Sequence, residues 1–215
     1  NLMKLSTIVI PLHERGGKFG DNRELRYALR SRNKHFKDNF KVEIICEKLP
    51  SWIHGVTHVK AKVNLKQALK LAAERNPNGF FWFFDDCLVL KDLTEQEMKK
   101  TPCYSFGGTP NSPWGKMLLE IKQKLILKDI KPWNYSSPHG PYWFDLDMID
   151  DGFNSLGKIS NKKPIETWIL SKADWPRRMN CTFVPREIMA ANQVLIAEGD
   201  RDFYYAHYHD SLLTE

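Results

Sequence analysis

At 215 residues the chain is one large domain or two small ones, long enough to bury a sizeable core. Its composition, 42% hydrophobic and 27% charged, is ordinary for a globular protein, and no apolar run approaches the length of a membrane span. A net charge of +6 and a pI near 9.0 suit acidic partners such as nucleotide phosphates, nucleic acid or an anionic glycan, although a solvated basic surface explains them equally well.

Asn1-Leu2 ahead of Met3 is expected to be an expression remnant, with the natural start at Met3. No signal-peptide pattern follows it. Residues 4–10 are dense in β-branched side chains and predict a strand stopped by Pro11. The polar, glycine-rich run that follows, from Leu12 to Gly20, predicts a loop, and its glycines match no phosphate-loop spacing. Asp21 or Asn22 is a good N-cap for a helix supported by Glu24. Leu25, Ala28, Leu29 and Phe36 form its apolar face, with Arg23, Arg26, Arg30 and Arg32 pointing elsewhere. Strands are expected at 41–46 and 56–59, then a helix over 62–75 with Leu65, Ala68, Leu69 and Ala72 inward.

Phe80-Phe81-Trp82-Phe83-Phe84 breaks the alternation of a half-exposed strand, so a short strand buried on both faces is expected over these five aromatics, 80–84. Asp85 and Asp86 follow it directly. Two adjacent carboxylates repel and are costly to bury, which predicts a place at the strand's exit beside a cation, and oxygen ligands suit magnesium or manganese. An Asp-Asp turn that merely caps the strand explains the pair as well. The order strand, helix, strand, strand, helix, strand predicts an α/β fold with a mostly parallel sheet, and ligands bind at the carboxyl edge of such sheets.

The second half is less regular. A strand is expected at 104–107, a lysine-rich helix at 114–127, and an irregular wall of prolines and aromatics over 131–142. Helices are expected at 147–156, 163–171 and 186–198, with a short strand at 181–184, before a tail containing His207, His209 and Asp210. Cys46, Cys87, Cys103 and Cys181 lack metal-ligand spacing, so reduced thiols in a cytoplasmic protein are expected. Cys87 has no histidine beside it in sequence and is read as inert. No linker divides the chain: a single domain spans 1–215, with a ligand-binding half at about 4–107 and an irregular half at about 108–215.

Four segments, in order, resemble the Stealth family of sugar-phosphate transferases. Residues 24–31, Glu-Leu-Arg-Tyr-Ala-Leu-Arg-Ser, look like its first block, and Pro50-Ser51-Trp52 like its Pro-x-Trp. Phe83-Phe84-Asp85-Asp86 resembles its second block, and His139-Gly140-Pro141 its His-x-Pro. The resemblance covers about residues 4–150. It implies a GT-A fold, a Rossmann-like sheet that binds a nucleotide-sugar and Mn2+ or Mg2+. Phe84 stands where the family has Asn, and its Trp-Val-Asp-Gly opening is replaced by Pro11-Leu12-His13-Glu14-Arg15, so transfer of the sugar itself is expected before sugar-1-phosphate transfer.

On that resemblance Asp85 and Asp86 hold the metal, with His207 or His209 (or Asp210) completing its shell, although a frayed terminus explains the tail residues better. His139 is the candidate base on an acceptor hydroxyl, with Asp145 or Asp147 as alternatives, though helix capping accounts for Asp145. Asp86 is counted with the catalytic set. Pro11, His13, Glu14, Arg15, Arg26, Arg30, Asn64 and Asp85 are expected around the nucleotide-sugar; capping is the simpler account of Asn64, and a solvated face the rival for the arginines. Trp133, Tyr135, Tyr142 and Trp143 are candidates to stack on a sugar or base, or to pack in the core. The acceptor is a glycan or a hydroxylated DNA base, and the rival from another class is a non-catalytic nucleic-acid-binding protein.

Overall fold

Two apolar cores, one on each face of a sheet, account for the five consecutive aromatics. Along Phe80-Phe81-Trp82-Phe83, side chains alternate between them: Phe80 and Trp82 enter one core, Phe81 and Phe83 the other. The strand before them in space behaves the same way, with Val9 in the first core and Ile8 and Ile10 in the second. A sheet covered on both faces has no need of polar alternation, which is what the sequence pattern reflects.

The computed structural model describes residues 6–14, 16, 20–62, 64–100, 111–132, 140–157, 165–181, 188–191, 195–196 and 198–208. Ser6–Pro11 (β1) is followed by Arg23–His35 (α1), Phe40–Cys46 (β2), Thr57–Lys60 (β3), Leu65–Arg75 (α2) and Phe80–Trp82 (β4). The order across the sheet is β3-β2-β1-β4, all parallel, and Tyr142–Phe144 (β6) adds an antiparallel edge strand beside β4. Cys87–Val89 (β5) leaves this sheet and pairs antiparallel with Met189–Ala191 (β7). Glu95–Lys99 (α3), Pro113–Leu127 (α4), Leu146–Leu156 (α5), Ile165–Lys172 (α6), Trp175–Arg178 (α7) and Arg201–His207 (α8) complete the described elements. Helix α1 covers the second core through Leu25 and Leu29; α2, α5 and α6 close the first.

The expected α/β sheet is present. Four of its details are corrected. The strand expected over 80–84 ends at Trp82, two residues early, as the chain leaves the sheet for the Asp85–Asp86 turn and β5 joins a different sheet. Tyr142 belongs to an edge strand and not to an irregular wall, and its ring packs in the core near Phe84 and Phe144. Residues 189–191, expected within a helix, are strand β7: β5 is fully buried, its backbone groups must be paired, and Met-Ala-Ala supplies the partner. Arg30 and Arg32, expected to point away from the apolar face of α1, are buried.

The strand expected at 104–107 lies outside the described residues, as does all but Cys181 of that at 181–184. Arg15, Trp133, Tyr135, His139, His209 and Asp210 also lie outside them. Among the described residues no helix is long and apolar enough to cross a membrane.

Glu43, on β2 opposite Val9, is a charge inside this architecture with its side chain 1% exposed. It accepts hydrogen bonds from Lys41 Nζ (2.7 Å), Arg75 Nε (3.2 Å) and Nη2 (3.1 Å), and Asn76 Nδ2 (3.2 Å), tying the sheet to the end of α2. Burial pushes its pKa up, but the bonds from Arg75, Lys41 and Asn76 outweigh burial and hold the carboxyl below its ordinary 4.5. A depressed carboxyl stabilises the fold above the unfolded value, and that contribution is lost as pH falls through the folded one. Glu43→Gln is therefore expected to lower unfolding free energy by about 2 kcal/mol at neutral pH. The difference should shrink in acid; urea denaturation at neutral and acidic pH checks both, and equal stability at neutral pH contradicts it.

Candidate functional site

The chain runs from β1 outward through β2 and β3, then returns to place β4 on the other side of β1. That reversal opens a crevice between the carboxyl ends of β1 and β4, the position where open α/β sheets receive ligands. The loop after β1 and the turn after β4 form its walls.

The wall after β4 is Phe83-Phe84-Asp85-Asp86. Phe83 N donates to Val9 O (3.0 Å), extending the ladder by one bond before the chain turns. The turn is fastened from beneath by Arg32 on α1. Its Nη2 donates to Phe84 O (2.8 Å) and Cys87 O (3.1 Å), the carbonyls on either side of the Asp pair. The guanidinium lies over the Phe83 ring at 4.3 Å and is 2% exposed. Among the described residues Nε and Nη1 have no hydrogen-bond partner. Burial brings its pKa down to about 10, against the favourable pull of Cys87, Asp85 and Asp86, so it remains a cation.

Asp85 is pushed up to about 6, first by burial and then by the carboxylate of Asp86, with Glu24 adding and Arg32 opposing. Glu24, buried in the first turn of α1, thus belongs to the same acidic group. Cys87 next door is also driven up, to about 12, mainly by burial, so at neutral pH it is an inert thiol.

The wall after β1 turns tightly. Gly16 N donates to His13 O (3.1 Å) and Asn22 N to Gly16 O (3.1 Å). Asp21 Oδ1, one of the two expected caps, accepts from Arg23 N (3.1 Å), while Asn22 stands at the N-cap position in a left-handed conformation (φ 55°) without a side-chain cap bond. Instead its Oδ1 is buried without a hydrogen-bond partner. A Cβ on Gly16 would stand 2.5 Å from Asn22 Oδ1 and 3.4 Å from Asp85 Oδ2. Glycine keeps open the space these two oxygens border. Oxygen donors of this kind fit Mg2+ or Mn2+. Among the described residues no group of three His, Cys, Asp or Glu side chains is arranged to hold a metal alone. Magnesium is ordinarily held by one or two carboxylates together with water and substrate phosphates, so the Asp pair matches the protein's share.

Two further features lie around the first turns of α1. A cavity of about 370 Å³ is lined by Asp21, Arg23, Arg26, Tyr27 and Trp52, with the Arg26 guanidinium 4.7 Å over the Trp52 ring. On the other side of Tyr27, Tyr205 of α8 stacks at 3.8 Å, and its hydroxyl is driven well above the ordinary range by burial, then by Glu24, with Asp86 also contributing. Helix α8 is anchored beyond this point: Tyr208 OH donates to Val89 O (3.0 Å), and Arg30 Nη1 donates to Tyr208 O (3.4 Å).

The structure gathers some of the expected residues and separates others. Asp85, Asp86 and Pro11 share the carboxyl edge; His13 and Glu14 are exposed in the loop there. Arg26 lines the cavity, whereas Arg30 turns to hold the end of α8. Asn64 caps α2, accepting from Lys66 N (3.1 Å) and Gln67 N (3.4 Å). Asp145 caps α5 through Met148 N (2.8 Å) and follows Phe144, which pairs with Phe80 at the start of β4. It therefore sits at the opposite edge of the sheet from Asp85 and Asp86. Asp147 is exposed in the first turn of the same helix. His207 lies 2.9 Å from Lys34 and stacks on Phe203, contacts that do not include the Asp pair. Trp143 packs against Phe81 and under Lys99.

The sequence reading missed Gly16, Asn22, Glu24, Arg32 and Tyr205 as site residues. Arg32 carried a usable signal: it falls seven residues after Leu25 and three after Leu29, on the buried stripe itself. The chain matches no family model, and no curated protein matches it.

A carboxyl with a raised folded pKa favours the folded state only while protonated. The stability it gives is complete below the unfolded value of 3.8 and is lost as pH rises towards about 6. Asp85→Asn removes that penalty. The variant should exceed the wild type in unfolding free energy by about 2 kcal/mol at neutral pH, after allowance for partial exposure, and by almost nothing near pH 4. Denaturant titrations at the two pH values test this; a variant no more stable than the wild type at neutral pH contradicts it. Arg32→Met, which leaves two turn carbonyls without their donor, should lower stability by about 3 kcal/mol in the same assay, and an unchanged stability would contradict the bracketing role.

Proposed function

We propose that the chain is a metal-dependent glycosyltransferase of the GT-A type, moving a sugar from a nucleoside-diphosphate sugar to a hydroxyl acceptor. The observation that carries this reading is the Asp85–Asp86 turn, set over a buried cation at the crevice between β1 and β4, with Asp85 strained towards protonation. A turn that only ended a strand would have no reason to bring Asp85, Asp86 and Glu24 together at a loss of stability. Carboxylates gathered against their own repulsion are a mark of functional sites. The strand order and the serial resemblance of four segments to the Stealth family support the same reading.

Asp85 and Asp86 are the residues that would hold Mn2+ or Mg2+, with Asn22 Oδ1 beside them. When bound, the ion neutralises charge that develops on the departing diphosphate. Arg32 fixes the direction of both carboxylates by closing their turn. Arg26 and Trp52 offer a guanidinium and an aromatic face to the nucleotide, while Tyr205 of α8 stacks on Tyr27 of α1. His139 remains the proposed base on the acceptor hydroxyl. Asp145 has no part in this scheme, since it caps α5 at the far edge. The proposed acceptor is a glycan or a hydroxylated base in DNA; sugar-1-phosphate transfer is distinguished by product mass, because it leaves phosphate on the acceptor.

A thermal-shift panel of nucleoside diphosphates with and without Mn2+ tests the reading. One nucleotide is expected to raise the melting temperature by about 5 °C at saturating concentration, and only with metal. Asp86→Asn should abolish the metal-dependent part, and Arg26→Ala should weaken the nucleotide without removing the metal requirement. No metal-dependent shift with any nucleotide would overturn the proposal and favour a silent nucleic-acid-binding protein.

A further inference from the structure

Helix α4 carries its own amphipathic pattern. Its inner face buries Leu118, Ile121 and Leu125 against the core. Opposite them, Leu119, Ile126 and Leu127 are 37%, 55% and 84% exposed. A helical step of about 100° per residue places these three, with Gln123, on a single outward stripe. Lys122 lies on one side of it and Lys124 on the other, Lys116 stands within it, and Lys128 and Lys131 follow at the helix end; the acidic residues in the same stretch are Glu120, 3.6 Å from Lys124, and Asp129. Basic side chains on both sides of an exposed apolar ridge define what the ridge fits.

We infer that α4 docks the protein on an anionic lipid surface, with Ile126 and Leu127 entering the headgroup boundary and the lysines pairing with lipid phosphates. Shallow burial of a few aliphatic side chains combined with lysine–phosphate attraction is the usual physics of an interfacial helix, and lysine stems extend to keep their charge at the headgroups. A second copy of the chain fits less well: a stable interface needs roughly 800 Å² from each partner, more than three side chains provide, and two such lysine-rich ridges repel. Nucleic acid satisfies the lysines but gives Leu127 nothing apolar to contact. The inference stands independently of the proposed chemistry in the crevice, and it concerns surface docking, since no described helix can span a bilayer.

Vesicle flotation tests it, with the whole chain and vesicles of phosphatidylcholine alone or mixed with phosphatidylglycerol. Binding to the anionic vesicles is expected to be tighter by at least about tenfold and to weaken with added salt. Ile126→Glu combined with Leu127→Glu should reduce it by at least about tenfold with the melting temperature unchanged, as both side chains are exposed. Equal binding to the two vesicle types, or a double variant that floats like the wild type, overturns the inference. Two other outcomes also overturn it: a dimer in light scattering that the double variant dissolves assigns the ridge to self-association, and retention on duplex DNA without vesicle binding assigns it to nucleic acid.

Discussion

A single buried guanidinium determines where the two carboxylates stand. Arg32 reaches from α1 under the end of β4 and joins the carbonyls of Phe84 and Cys87, so the Asp85–Asp86 turn is closed by a side chain and not by its own backbone. Its hydrogen bonds go to backbone oxygens and none to the carboxylates. The positive charge therefore lowers the electrostatic penalty of the acidic pair without occupying the oxygens of either aspartate. A lysine in the same place has no planar fork to span two carbonyls, and an apolar residue would leave both without a donor in a low-dielectric setting.

That arrangement places an unfavourable charge cluster at the topological switch of a well-packed sheet. The sheet can tolerate it because its own stability lies elsewhere: in the alternating aromatics of β4, in the Glu43 network between β2 and α2, and in the helices that cover both faces. The crevice is bounded by elements distant in sequence. Gly16 and Asn22 come from the β1–α1 loop and Asp85 from the β4 turn, while Tyr205 of the last described helix stacks on Tyr27 of α1. Docking of α8 through Tyr208 to Val89 links that last helix to the β5 strand that begins directly after the Asp pair.

Much of this was legible in the chain, and the rest failed for identifiable reasons. The parallel half could be read because each of its strands and helices is specified locally, by β-branched or aromatic runs and by the spacing of Leu25, Ala28 and Leu29. Arg32 shared that spacing, but a charged residue is read as solvated by default, and its burial depends on carbonyls more than fifty residues away. Strand β7 was hidden because Met-Ala-Ala has a helical composition and becomes a strand only by completing β5. Asp145 was recognisable as a cap, yet its separation from Asp85 follows from the antiparallel register of β6, which no local pattern encodes. Asn22 looked like a cap; its left-handed backbone instead buries the side-chain oxygen next to the space beside Asp85.

Asp85 is raised to about 6 by burial and by like charges that a bound cation would relieve. Its side-chain carboxyl can be followed by carbon NMR across an acid titration, with and without Mg2+ and a nucleoside diphosphate. The account predicts a midpoint near 6 for the protein alone, falling by at least about one unit when both are added, since an adjacent cation favours the ionised form. A midpoint that stays the same with metal and nucleotide present, or that lies at the ordinary value for aspartate from the start, would contradict it.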